Sequence, residues 1–361
     1  MRIAQIAPLF ESVPPSLYGG TERIVSYLTE ELVRRGHEVT LFASGDSTTD
    51  AELVACSERA LRLDPEVNDH VPHHVAMLER VRQRAHEFDV LHFHIDILHY
   101  PLIGAFADRT VTTLHGRLDL PDLKPLYALC PHLPLVSISD AQRRPMPDVN
   151  WTGTVYHGLP SGLLPFTPAP RGDYVAFLGR VSAEKGLVNA INIAARAGLP
   201  LKIAAKIDKA DREYWSGTVQ PLIAAHANVE FIGEIGERDK AEFLGNARAL
   251  LFPIEWPEPF GLVMIEAIAC GTPVIAFPRG SVPEIIDHGE SGFIVNTVEQ
   301  AVDATLALDA LDRSRVRACF DRRFCVERMV DDYLALYSSL PGVWPARPGQ
   351  SPDLKVVARM H

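Results

Sequence analysis

Along this chain, short apolar runs alternate with stretches in which apolar residues recur every three or four positions. RIAQIAPLF, beginning at Arg2, reads as a buried strand. Residues 21–36 then put Ile24, Val25, Leu28, Leu32 and Val33 on one helical face. Gly36 ends that helix, and HEVTLFAS, beginning at His37, reads as the next strand. FDVLHFHI (88–95), RTVTTLHG (109–116), LPLVSISD (133–140) and GTVYHGL (153–159) continue the series. The proline-rich passage LPSGLLPFTPAPRGD (159–173) interrupts it and reads as an interdomain linker. The alternation resumes with strands expected at 173–179, 200–205, 228–233, 249–253 and 273–277, and helices between them.

Strand–helix alternation of this kind predicts an α/β protein with parallel sheets covered on both faces. Two such halves follow one another, a Rossmann-like domain over 1–165 and a second over 166–324. A helix over 325–340 has Met329, Val330, Tyr333, Leu334 and Leu336 to bury, and packing back on the first domain is one way to do so. Residues 341–361 carry prolines and no period, and read as a flexible tail with Val343 and Trp344 as its docking point.

The length of 361 residues suits two domains. With 47% hydrophobic and 22% charged residues, the composition is that of a soluble globular protein. No apolar run approaches the roughly 18 residues of a membrane-crossing helix. Met1 opens directly on strand-like sequence without a secretory signal core, so the expected location is cytoplasmic. Cys56, Cys130, Cys270, Cys319 and Cys325 are odd in number and lack CxxC spacing, which argues for buried thiols and against disulfides or structural zinc. The net charge of −11 divides into −7 over residues 1–165 and −4 beyond. Neither half offers a basic footprint for nucleic acid. A phosphate-bearing ligand therefore has to be held by a few placed cations.

Open α/β sheets bind ligands beyond the carboxyl ends of their strands, and four groups of residues fall there. In FLGRVSAEKG, Arg180 and Lys185 follow a strand across a short loop, an arrangement suited to a diphosphate. The plainer reading is a solvated pair making surface salt bridges. In EWPEPFGLVMIEAIACGTPV, Glu258 precedes a helix whose start, around Phe260, Gly261 and Leu262, offers unpaired N–H groups to an anion. Glu266 lies two turns on, and carboxylates of this kind accept from sugar hydroxyls; the plainer reading is a helix-start acid and a solvated one. His115, before Gly116, is a candidate donor to a ligand oxygen or a structural histidine. Gly19 and Gly20 precede a helix, where their amides can face a ligand or simply form a tight turn; GxGxxG is absent. In LHFHIDILHY, His92 and His94 share a strand face and His99 follows, but without an HExxH-like signature no metal is expected. His94 and Asp96 lining a cleft is the favoured reading there.

Taken together, GRVSAEKG, EPFGLVMIEAIACGTPVIA and GSVPEIIDHGESGFIV resemble the donor half of retaining glycosyltransferases of family 4, whose fold is GT-B. GGTERIVSYLTEELVRRGHEVTLFA and TLHG resemble the acceptor half, and the likeness runs from about residue 2 to 338. The resemblance implies two Rossmann-like parallel-sheet domains facing a cleft, the first for the acceptor and the second for a nucleotide-sugar donor. It implies that Arg180 and Lys185 hold the donor diphosphate, with Gly19 and Gly20 closing over it. Glu258 would bind sugar hydroxyls, the amides of Phe260, Gly261 and Leu262 sugar and phosphate, Glu266 the ribose, and His115 would stand beside the sugar. UDP-glucose and GDP-mannose are the leading donors, with no cofactor and no metal. The acceptor is a small molecule, a saccharide or a lipid, and peripheral membrane contact stays open. Where many relatives have glycine, this chain has Ala205, Lys206 and Ile207, making Lys206 either a nucleotide contact or a solvated loop cation. A sugar-nucleotide epimerase and a non-catalytic nucleotide-sugar-binding subunit are the alternatives.

Overall fold

The computed structural model describes residues 1–16 and 19–343. Strands β1 (Arg2–Ile6), β2 (Glu38–Ser44), β3 (Glu52–Ser57), β4 (Val90–Phe93), β5 (Thr110–Thr113), β6 (Leu135–Ser137) and β7 (Trp151–Thr154) form one sheet in the order β3-β2-β1-β4-β5-β6-β7. Strands β8 (Val175–Arg180), β9 (Leu201–Lys206), β10 (Val229–Gly233), β11 (Ala249–Phe252), β12 (Val274–Ala276) and β13 (Gly292–Ile294) form a second, in the order β10-β9-β8-β11-β12-β13. The pairings are parallel throughout. In each sheet the order reverses at its first strand, β1 or β8. Connections there leave toward opposite faces, which opens a crevice at the carboxyl ends. The α/β class read from the alternation and the paired-sheet GT-B architecture implied by the resemblance are the ones observed.

The helices that bear on the site are α1 (Gly20–Arg34), α2 (Leu187–Ala197), α3 (Glu237–Gly245), α4 (Leu262–Ala269), α5 (Arg313–Arg323) and α6 (Val326–Ser339). Helix α1 buries Ile24, Leu28 and Leu32 and is stopped at Gly36, whose φ of 82° is the left-handed value that closes a helix end. Although α6 follows the second sheet, its Met329, Val330, Tyr333 and Tyr337 pack in one cluster with Ile3 of β1 and with Ile24, Leu28 and Leu32 of α1. Each such side chain removed from water contributes about 1.5–3 kcal/mol, which fastens the chain end to the first sheet. No helix among the described residues is long and apolar enough to cross a membrane.

Several boundaries differ from the sequence expectations. GTVYHGL was read as a strand over 153–159, but β7 ends at Thr154. Beyond it, Gly158 passes so close to the carbonyl of Cys325 that a Cβ would collide with it, and Leu159 exchanges backbone hydrogen bonds with Phe324 and Val326. The segment is thus committed to the start of α6 rather than to the sheet. LPLVSISD contributes only Leu135–Ser137, because Ser139 accepts from the N–H of Gln142 and starts a short helix. Strands β3 and β13 had no counterpart in the expected series; β3 is a partly exposed edge and β13 is three residues long. Cys56, Cys270 and Cys319 are buried thiols, whereas Cys130 and Cys325 are half-buried. Val343 is buried, and the expectation for Trp344 and the rest of the tail to residue 361 lies outside the described residues.

Candidate active site

The carboxyl ends of the two sheets face each other across a cavity of about 530 Å³, a size suited to a small-molecule ligand. Gly19, Gly20, His94, Asp96, His115, Arg180, Lys185, Lys206, Glu258, Phe260, Gly261, Leu262 and Glu266 all line it. The cavity thus gathers the residues the sequence offered for the donor, the sugar and the acceptor side, while His92 and His99 lie outside it. The halves also touch directly. Ser139 Oγ donates to the Pro259 carbonyl at 2.6 Å, Glu284 accepts the N–H groups of Asp140 and Ala141 at 2.7 Å each, and Arg23 pairs with Glu237.

On the second-domain wall, the 181–186 loop brings Lys185 back beside the end of β11. Gly186 makes that approach feasible: with φ of 74°, a Cβ there would collide with the Pro253 carbonyl. Lys185 Nζ lies 2.5 Å from Glu258 Oε2, which also accepts from Trp256 Nε1 at 2.8 Å. The same ammonium stands 4.8 Å from the centre of the Trp256 ring, so the indole supports both the cation and the acid. Arg180 is held by Glu184 at 2.6 Å and lies 3.8 Å from both Asp208 and Asp211. Its Nε is buried without a hydrogen-bond partner. The cations are positioned by acids in the cavity wall, with Arg180 still 32% exposed, and an arriving anion competes with carboxylates for them. Gly261, at φ 80°, precedes α4, leaving the first N–H groups of that helix at the cavity. Glu266 is buried and receives Lys240 Nζ at 2.6 Å.

On the opposite wall, Gly19 and Gly20 lead into α1, and Gly20 lies against Leu262. His94 Nδ1 is 2.9 Å from His115 Nε2, and His94 Nε2 is 2.8 Å from Gln5 Oε1. Burial pushes His115 down to about 3 and holds His94 well below its ordinary value, so both rings are neutral. His157, 3% exposed, stacks on His115 at 5.3 Å between centroids, and its edge meets Phe260. Asp96 has φ of 57°, a left-handed conformation that few side-chain-bearing residues adopt and that aspartate tolerates better than most. It is open to the cavity yet crowded enough that desolvation raises its carboxyl to about 6, against an opposing hydrogen bond from the His115 N–H.

The metal-like trio is otherwise employed. His92 bonds Tyr337 and Thr113, His94 bonds Gln5 and His115, and His99 bonds Thr112 while stacking on Phe93. Sequence reasoning passed over Trp256, Lys240, His157, Arg23 and Glu22, all of which line the cavity. Trp256 sits inside a run already marked, between two acids, and was legible there. Lys240 and His157 reach the site only through tertiary packing, and no spacing announces them.

The two-sheet architecture with cations and helix starts gathered in its interdomain cavity is of GT-B type. The chain belongs to glycosyltransferase family 4: the family described as Glycosyltransferase Family 4 matches residues 18–146, and Glycosyl transferases group 1 matches residues 167–314. Alpha-maltose-1-phosphate synthase of Mycolicibacterium smegmatis is 30% identical over 42% of this chain and 43% of its own length. Phosphatidyl-myo-inositol mannosyltransferase of Mycobacterium leprae is 26% identical over 88% of this chain and 90% of its own. Among solved structures, the sucrose-phosphate synthase of Thermosynechococcus elongatus aligns with a TM-score of 0.76 at 19% identity, over 94% of this chain and 99% of that one, a likeness of fold.

Proposed function

We propose that this protein transfers a hexose from a nucleoside-diphosphate sugar to a hydroxyl acceptor, with retention of anomeric configuration and without a metal ion. The observation that carries the reading is the placement of Arg180, Lys185 and the start of α4 on one wall of the interdomain cavity, opposite the Gly19–Gly20 start of α1. As the sugar–phosphate bond breaks, negative charge grows on the departing diphosphate. Positive groups fixed in advance at that position lower the barrier, because they need not reorganise during the reaction. Lys185 exchanges its bond to Glu258 for a phosphate oxygen, which releases Glu258 to accept from sugar hydroxyls. Glu266 and Lys240 face the ribose. The acceptor enters from the first domain beside Asp96. Its oxygen bonds to the anomeric carbon on the face the diphosphate leaves, and its proton passes to a departing phosphate oxygen. UDP-glucose and GDP-mannose are the leading donors, the second supported by the mannosyltransferase relative.

The test is incubation with both donors and a panel of polyol, saccharide and lipid acceptors, with and without a chelator, reading the product linkage by proton NMR. Retained configuration with undiminished turnover in chelator is expected. Inverted product or chelator-sensitive turnover overturns the mechanism. A rearranged or freed sugar formed equally well without acceptor identifies an epimerase instead.

A further inference from the structure

We propose that Gln5 fixes His115 as a hydrogen-bond acceptor toward the cavity, so that the site selects a donor sugar presenting a hydroxyl, and not a carboxylate or an ether, to that ring. The sugar half of this inference rests on the nucleotide-sugar reading above; the histidine half does not.

Gln5 lies on β1, fully buried. Its carboxamide has one end that only accepts and one that only donates. The oxygen is 2.8 Å from His94 Nε2, and the nitrogen is 3.3 Å from the Tyr337 hydroxyl. An oxygen facing His94 Nε2 requires the ring proton to be there. His94 is 2% exposed, surrounded by His92, His115 and His157, and neutral, so its Nδ1 is a bare lone pair. His115 Nε2, 2.9 Å from that lone pair, must then carry the proton of its own neutral ring. What His115 has left is Nδ1, an acceptor. No described residue bonds it, and the ring lines the cavity.

The same polarity continues at the other end of the row. Tyr337, on α6, accepts from Gln5 and donates to His92 Nδ1 at 2.7 Å, and His92 Nε2–H donates to Thr113 Oγ1 at 2.7 Å. Turning the Gln5 amide over would reverse every proton in the row and make His115 a donor. Gln5 is thus a positioning residue and Tyr337 its support, while His115 reads the ligand. A sugar hydroxyl satisfies the Nδ1 lone pair. A carboxylate or ether oxygen sets lone pair against lone pair and leaves both unpaired, the costlier outcome at a buried polar contact.

Two readouts on the full-length protein test this. With ring-¹⁵N-labelled histidine, long-range proton–nitrogen correlation, assigned by the signals lost in His115→Ala, should show His115 protonated at Nε2; protonation at Nδ1 overturns the proposal. Dissociation constants are then measured for the nucleoside-diphosphate hexose and for analogues with one hydroxyl replaced by hydrogen or by fluorine. Fluorine cannot donate, so at one carbon of the sugar both replacements should weaken binding alike, by about 3- to 10-fold, and the penalty should vanish in His115→Ala. Fluorine binding like the hydroxyl at every carbon where hydrogen costs affinity overturns it. Gln5→Glu keeps an oxygen toward His94 and should keep the tautomer, whereas Gln5→Leu should show both tautomers and a smaller hydroxyl preference. An unchanged ring spectrum in Gln5→Leu removes Gln5 from the role. Failure of every nucleotide sugar to bind rejects the functional reading and the sugar half, while the ring spectrum still decides the histidine half.

Discussion

Glu22 shows how one side chain can be set against its surroundings. It lies in the first turn of α1, 5% exposed, and accepts from its own N–H and from that of Glu11. Those bonds and the helix start favour the charged form, but desolvation is the larger effect and raises the carboxyl to about 7. A carboxyl raised on folding binds its proton more tightly in the folded state, so stability is lost as pH climbs from about 4.5 to 7 and stays lost above. The expected loss is on the order of 2–3 kcal/mol. In Glu22→Gln, urea unfolding at pH 5.5 and pH 8 should lack this fall; an unchanged difference between the two pH values contradicts the assignment. Residue-level legibility followed the same logic. Arg180, Lys185, Glu258 and His115 stand at strand ends, where type and position can be read together. Glu22 was passed over because a first-turn acid is ordinary in sequence, and only the folded loop around it makes it buried.

At the scale of elements, α5 and α6 hold the architecture together. Arg313 opens α5, where a cation is disfavoured by the helix dipole, yet it is spent on backbone. It donates to the carbonyls of Thr167, Ala247 and Gly245 at 2.8–3.0 Å and to Thr272 Oγ1 at 2.7 Å. Burial lowers it to about 10. Arg313→Met strands these acceptors and should cost about 3 kcal/mol or more in urea unfolding; a loss under about 1 kcal/mol rejects the clamp. Long amphipathic segments such as α1 and α6 were legible because their periodic faces are buried as the period requires. The 153–159 run was not, because past Val155 its chain leaves the sheet: Tyr156 packs on Phe260 and Phe324, and Leu159 bonds the backbone of Phe324 and Val326. β3 escaped for the opposite reason, as a half-exposed edge with no sustained alternation.

At the scale of the whole molecule, the first domain buries a set of histidines that are neutral when folded, of which His94, His115 and His157 line the cavity. His92, His94 and His157 are held well below their usual value and His99 and His115 fall to about 3, in each case chiefly by burial. Histidines lowered on folding give stability that is complete above about pH 6.5 and lost as pH falls, since the unfolded chain takes up protons the folded one refuses. Glu22 and Asp96, both raised on folding, oppose this. Fluorescence and circular dichroism should therefore show cooperative unfolding between about pH 4 and 6; a protein folded at pH 3 contradicts this. The central claim is that the cavity cradles a diphosphate. Calorimetric titration of UDP and GDP into the wild type, Arg180→Ala, Lys185→Ala and the double variant tests it most directly. If each cation makes one charge-assisted bond, each substitution weakens the preferred nucleotide by about 10- to 100-fold, with the double variant weaker still. Equal affinity in all four proteins, with the fold intact, would contradict the account.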